Sequence, residues 1–180
     1  MRKLIAFVAT VLVAGSALAT DVKVEGRYGL DGAGKGNQEY LVVASGMIGD
    51  FNVGAEGQMK QAKNQGAVSS SIVGQLGLPV KAFGLSVQPY AELGKKLNVA
   101  SNYMMYGLGV KGSLAVGGGL AVNAGARYRG DLGNAQFNET RYNAGLSYTF
   151  LKSNTIGADY YTYRSGTHYE AVGVSYKHVF

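Results

Sequence analysis

The sequence predicts an all-β protein, an antiparallel up-and-down β-barrel of about ten strands that crosses a membrane. Three observations carry this expectation. Polarity alternates with a period of two residues along most of the chain, in segments about 9 to 11 residues long, the length a tilted strand needs to cross hydrocarbon. One side of each clear segment carries the ions, and the other carries almost none. The connections alternate between tight and generally longer, more polar turns. With an even strand count, this puts both termini on the tight-turn side.

The first nineteen residues precede the barrel and read as an export signal. Arg2 and Lys3 give a positive start, Leu4 to Ala14 is an almost unbroken apolar run, and Ala17-Leu18-Ala19 offers the small residues a signal peptidase needs. Cleavage is expected after Ala19, leaving residues 20–180 as one barrel domain. The apolar run is too short to span a bilayer, and no Cys follows it to carry a lipid anchor. The remaining 161 residues hold 15 basic against 11 acidic side chains, a charge of about +4. With no Lys/Arg cluster, that excess does not suit a nucleic-acid partner. The absence of Cys excludes disulfides, so backbone pairing and packing must hold the fold. The 28 Gly lack the three-residue period of collagen, and they are mixed with Val, Leu and 13 Tyr, as suits a sheet.

In chain order, strands are expected near 22–30, 38–48, 51–60, 68–78, 85–94, 103–114, 120–129, 140–150, 155–163 and 169–180. In the first, Val22, Val24 and Tyr28 oppose Lys23, Glu25 and Arg27; the second is undecided, because both of its faces are apolar or small. In the third, Phe51, Val53, Ala55 and Met59 oppose Asn52, Glu56, Gln58 and Lys60, and the fourth is again undecided. Leu85, Val87, Ala91 and Leu93 oppose Ser86, Gln88 and Glu92 in the fifth, where Pro89 calls for a bulge or a shifted boundary. Leu108, Val110 and Leu114 oppose Lys111 and Ser113 in the sixth; Leu120, Val122, Ala124, Ala126 and Tyr128 oppose Asn123, Arg127 and Arg129 in the seventh. Tyr142, Ala144, Leu146, Tyr148 and Phe150 oppose Arg141, Asn143, Ser147 and Thr149; Ile156, Ala158 and Tyr160 oppose Asp159; and Val172, Val174, Tyr176 and Phe180 oppose Ser175 and Lys177. Tight connections are expected at Gly49-Asp50, Pro79 to Gly84, Val116 to Gly119 and Leu151 to Asn154. Longer ones are expected at 31–37, 61–67, 95–102, 130–139 and 164–168. Eight strands with longer loops, or twelve, are the alternative counts.

A soluble barrel would show the same alternation with its oily side inward, so other features must set the direction. The apolar faces are rich in Ala, Gly and Val, which fill a close-packed core poorly but which lipid chains can cover. The other faces hold Lys23, Arg27, Lys60, Lys111, Arg127, Arg129, Arg141 and Lys177 with Glu25, Glu56, Glu92 and Asp159. One charge at the lipid midplane costs about 2–4 kcal/mol, which such segregation avoids. His178 falls on the oily side but beside the strand end. Phe51, Phe150 and Phe180 near tight turns, and Tyr28, Tyr128 and Tyr142 near longer loops, suit two interfacial girdles.

The segment Val172-Gly173-Val174-Ser175-Tyr176-Lys177-His178-Val179-Phe180, with its final Phe and apolar residues at every second position, resembles the terminal signal strand of bacterial outer-membrane β-barrel proteins. The resemblance implies a Gram-negative outer-membrane location, contact with its lipid and lipopolysaccharide, and reading of Val172 to Phe180 by the barrel assembly machinery. Ala126-Arg127-Tyr128-Arg129, Tyr142 to Phe150 and Gly157-Ala158-Asp159-Tyr160 resemble the later strands of the small oligogalacturonate-specific porin family. That resemblance implies twelve strands and a pore lined by basic residues.

The ion-bearing faces give the candidate site: Arg27, Arg127, Arg129 and Arg141 first, then Lys23, Lys60, Lys111, Glu56, Glu92 and Asp159. Guanidinium groups bind carboxylates through two hydrogen bonds, and the neighbouring Gly54, Ser86, Gly107, Gly109, Gly125, Gly145, Ser147, Gly157 and Ser175 leave volume for water. A narrow porin-like channel for small anionic or polar solutes is the expected function. The alternative is a lumen plugged by its own salt bridges in a structural or surface-interaction barrel. A rim hydrolase would have to use His168 with Ser165 and Glu170, and no nucleophile-elbow or His-Glu-x-x-His motif supports it. No cofactor is expected, and neither His nor acids cluster at metal-ligand spacing.

Overall fold

The computed structural model describes residues 20–32, 35–63, 68–97, 102–133 and 138–180; the export signal expected over 1–19 lies outside the described residues. The strands are β1 (Asp21–Gly29), β2 (Gln38–Ile48), β3 (Phe51–Gln61), β4 (Val68–Gly77), β5 (Val80–Ala82), β6 (Leu85–Leu97), β7 (Tyr103–Gly117), β8 (Leu120–Asp131), β9 (Asn138–Phe150), β10 (Asn154–Ser165) and β11 (Thr167–Val179). Each pairs antiparallel with its neighbour. β1 meets β11 from Asp21↔Val179 to Gly29↔Ala171, and β4 meets β6 from Ser70↔Leu97 to Gly77↔Tyr90. Those two pairings close a ring of ten strands, with β5 as a three-residue lip on β6. Neither eight nor twelve strands is correct. The ten long segments carry enough alternating residues for one crossing each, and β5 is too short to cross.

Tight turns gather at the end that holds Thr20 and Phe180, where Phe180 N donates to Thr20 O at 2.9 Å. Gly118 and Gly119 both take positive φ, as a two-residue hairpin turn matching the twist of its strands requires. At the β9–β10 turn the same geometry falls on Leu151 (φ 50°) and Lys152 (φ 63°), where a Cβ makes it costly.

Two expectations need correction. Pro89 causes no bulge: β6 and β7 pair in unbroken register through Pro89↔Val110. Its carbonyl accepts from Leu78 N at 3.0 Å, so its nitrogen faces the same side, at the gap between β4 and β5 where no ladder donor is needed. The connection expected over 164–168 is not long either. β10 and β11 run almost to their tip, with only Gly166 (φ 65°) between Ser165 and Thr167.

The register turns polarity inside out, as expected. Leu108 (62% exposed), Val174 (69%), Leu93, Ile72 and Leu146 point outward and together leave an apolar belt far broader than a soluble surface carries. Aromatic residues edge it, with Tyr28, Tyr106, Tyr128, Tyr142 and Tyr160 exposed toward the long-loop rim and Phe51, Tyr148, Tyr176 and Phe180 toward the tight turns. Along β9, Tyr142 to Phe150 spans roughly 27 Å of strand, or about 21 Å of height at a typical tilt, close to a bilayer's apolar thickness for barrels.

Candidate functional site in the barrel lumen

All ten candidate residues face the lumen. Lys23 lies opposite Val43 and Lys177, Arg27 opposite Glu39 and Gly173, and Lys60 opposite Glu39 and Ser69. Arg127 stands directly beside Arg141, Arg129 beside Glu139 and Gly107, and Lys111 beside Gln88 and Gly125. Glu56, Glu92 and Asp159 share the same inward parity.

Most of these side chains meet in a band across the middle of the barrel. Arg129 donates to Glu92 Oε2 at 2.6 Å and to Glu56 Oε1 at 2.8 Å, and Arg127 reaches Glu139 at 3.1 Å and Glu56 at 3.5 Å. On the opposite wall Arg27 pairs with Glu25 and, at 3.3 Å, with Glu39, which Lys60 approaches to 3.2 Å. Tyr161 donates to Glu25, and Tyr163 to Glu39 at 3.2 Å; Tyr169 accepts from Lys60 at 2.7 Å. The Tyr163 and Tyr169 rings stack with centroids 4.3 Å apart. Arg27, Arg127, Arg129, Glu25, Glu39, Glu56 and Glu92 are all buried. Each ion is therefore held by a partner, as burial of charge requires.

Glycines make these contacts geometrically available. Arg129 on β8 and Glu92 on β6 are separated by β7, and there the intervening residue is Gly107. A Cβ at that position would sit 2.8 Å from Glu92 Oε2 and 3.1 Å from Arg129 Cγ. Gly173 on β11 plays the same part between Arg27 and Tyr161, where a Cβ would come within 2.8 Å of the tyrosine ring. At both places, side chains two strands apart meet over a strand that offers no side chain there.

Below the band, toward the tight turns, lies a cavity of about 640 Å³. Its mouth is lined by Asp21, Pro79, Lys81 and Lys177, and its inner end by Tyr90, Lys111, Arg141, Asn143 and Tyr161. At the mouth Lys177 pairs with Asp21 at 2.6 Å, and further in Lys23 pairs with Glu25 at 2.7 Å. Above the band lies a smaller cavity of about 40 Å³, between Lys60, Ser71, Lys96 and Glu139.

Sequence reasoning missed Glu39, Glu139, Asp21 and Lys96, which the register adds to the lumen and which narrow the expected basic excess. It also missed the Tyr161, Tyr163 and Tyr169 cluster. The parity of Asp159 extends to Tyr161 and Tyr163 and carried that signal. At the rim, His168 Nε2 stands 3.7 Å from Glu170 Oε1, beyond hydrogen-bond range, and both lie on the outward face. Among the described residues no group of three His, Cys, Asp or Glu could hold a metal.

No family model matches the chain. No curated protein matches it. Among solved structures it is similar to the KdgM porin in complex with disordered oligogalacturonate, with a TM-score of 0.50 and 15% identity over 89% of this chain and 99% of that one. It is also similar to the β domain of the Bordetella autotransporter BrkA, with a TM-score of 0.51 and 12% identity over 89% of this chain and 97% of that one. At such identities the likeness is one of fold.

Proposed function

We propose that this chain, which has the fold of the outer-membrane β-barrels, is exported behind a cleaved signal peptide, inserted in the outer membrane, and serves there as a narrow porin-like channel for small polar or anionic solutes. The observation that supports this reading is the 640 Å³ cavity that runs from the tight-turn mouth into a lumen lined by charged and small side chains. Ten strands lie between the roughly 8 that side chains fill and the roughly 16 that enclose a wide aqueous channel. The arginine and carboxylate band is then the constriction, and its guanidinium groups are the donors that passing anions meet. Outer-membrane lipid and lipopolysaccharide cover the apolar belt, and the barrel assembly machinery reads Val172 to Phe180.

The band itself favours a second reading, a closed structural or surface-interaction barrel, since its ions are buried and mutually satisfied. Neither reading gives His168 or Glu170 a catalytic role. Planar-bilayer recording of folded protein separates the two. Discrete anion-preferring steps, shifted toward cations when Arg127 and Arg129 become Ser, support the channel. A silent membrane, with folding shown by heat-modifiable migration, leaves the closed barrel.

A further inference from the structure

We propose that the inner end of the cavity is a binding site for a small organic monocarboxylate, seated on Arg141, Lys111 and Asn143. The inference rests on reading the lumen as a solute path, and it assigns that path a ligand and a place.

Arg141 is the odd member of the lumenal arginines. It is 9% exposed, and its Nε and Nη1 are buried without a hydrogen-bond partner. Arg27, Arg127 and Arg129 are each held by two carboxylates, whereas among the described residues no carboxylate oxygen comes within 4.0 Å of Arg141 or Lys111. The two cross-strand neighbours of Arg141 on the same face are Arg127, a like charge, and Tyr163, which is neutral. Glu39, Glu56 and Glu139 offset its charge at longer range, but they leave the guanidinium hydrogen bonds unmade, and the cavity gives an outside anion access to them.

The surroundings select the kind of anion. Lys111 and Asn143 flank Gly125 in one rung, and the Asn143 side chain lies over that glycine, where a Cβ would be 2.7 Å from its Oδ1. Arg141 Cζ is 5.5 Å from the centre of the Tyr161 ring, and Lys111 Nζ is 5.8 Å from that of Tyr90. Two cations with an aromatic face beside each suit a carboxylate carried on a compact carbon body. The whole cavity, mouth included, lies within the 300–1,000 Å³ usual for small-molecule sites, so its inner end suits a small ligand. Asp159, which accepts from Asn143 at 3.1 Å, adds one negative charge nearby and disfavours anions of higher charge.

Benzoate titrated calorimetrically into the folded mature chain in detergent micelles tests the site. Saturable binding is expected, with inorganic phosphate weaker. Arg141→Gln should weaken benzoate binding about tenfold or more, and Lys111→Gln several-fold, while Lys81→Gln at the mouth should leave it unchanged. If Arg141→Gln fails the heat-modifiable migration check, Asn143→Asp, which adds a negative charge at the site, must abolish binding. No saturable benzoate binding by the unaltered chain, or undiminished binding after these changes, overturns the proposal. Conductance steps without benzoate binding defeat the site and leave the channel. Benzoate binding beside a silent bilayer defeats the channel and leaves the site.

Discussion

Replacing Arg129 by Gln would measure how dry the mid-lumen band is. Arg129 is 3% exposed and supplies the contacts to Glu92 at 2.6 Å and Glu56 at 2.8 Å. Its loss leaves Glu92 with Gln75 Nε2 at 2.9 Å, and Glu56 with Gln75 at 3.3 Å and Arg127 at 3.5 Å. Breaking a buried pair by removing one partner costs about 3–5 kcal/mol, and these residual contacts put the change near the low end, about 3 kcal/mol. That is about two decades in the folding equilibrium. A hydrated lumen would solvate the two carboxylates, and the loss would then resemble that of a surface pair, about 0–1 kcal/mol. Reversible urea unfolding of the protein in lipid vesicles reads the difference. Glu92→Gln in the Arg129→Gln background should then add much less than it does alone, because both changes remove one pair. A loss under about 1 kcal/mol for Arg129→Gln would refute the claim that these ions are shielded from water.

Three further outcomes follow from the geometry. Leu108→Arg, on the outward face at 62% exposure, should lower stability in vesicles by about 2–4 kcal/mol, and no loss would mean that Leu108 does not meet hydrocarbon. Lys152→Gly should raise stability by about 1 kcal/mol, because Lys152 holds a φ of 63° that glycine adopts freely; unfolding midpoints with unchanged slope would show it. Gly145→Ala should cost about 1–3 kcal/mol, since its Cβ would lie 2.2 Å from the Ala158 carbonyl oxygen, whereas Gly112→Ala, with its nearest atom at 3.8 Å, should cost far less in the same melt.

Strands whose two faces differ in polarity were legible almost residue by residue. β8 has, over the expected segment Leu120 to Arg129, the inward set Asn123, Arg127 and Arg129 that its alternation predicts. β2 was not legible, because Leu41 and Val43 point into the lumen while Val42 lies on the other face, and hydrophobicity alone cannot separate them. Glu39 is the residue that fixes its parity. Inward-facing Val73 blurred β4 in the same way. Parity says which face a side chain takes, and it says nothing about which other strand that face will meet. The contact of Arg129 with Glu56 runs across the lumen from β8 to β3, and that of Arg27 with Tyr163 runs across the β1–β11 seam, so they exist only after closure. For the same reason the band was visible as a list of charges but not as an arrangement, and the isolation of Arg141 among paired arginines was not visible at all.

The seam between β1 and β11 joins residues about 150 positions apart, and each half of it is an edge until the other arrives. A half-built cylinder therefore carries two raw flanks of unmet amides, which in oil have nothing to bond to and in water invite another chain. The last strand is consequently the latch of the structure, with the largest loop-closure cost of any pairing in the ring, and a half-built molecule needs shelter until it snaps shut.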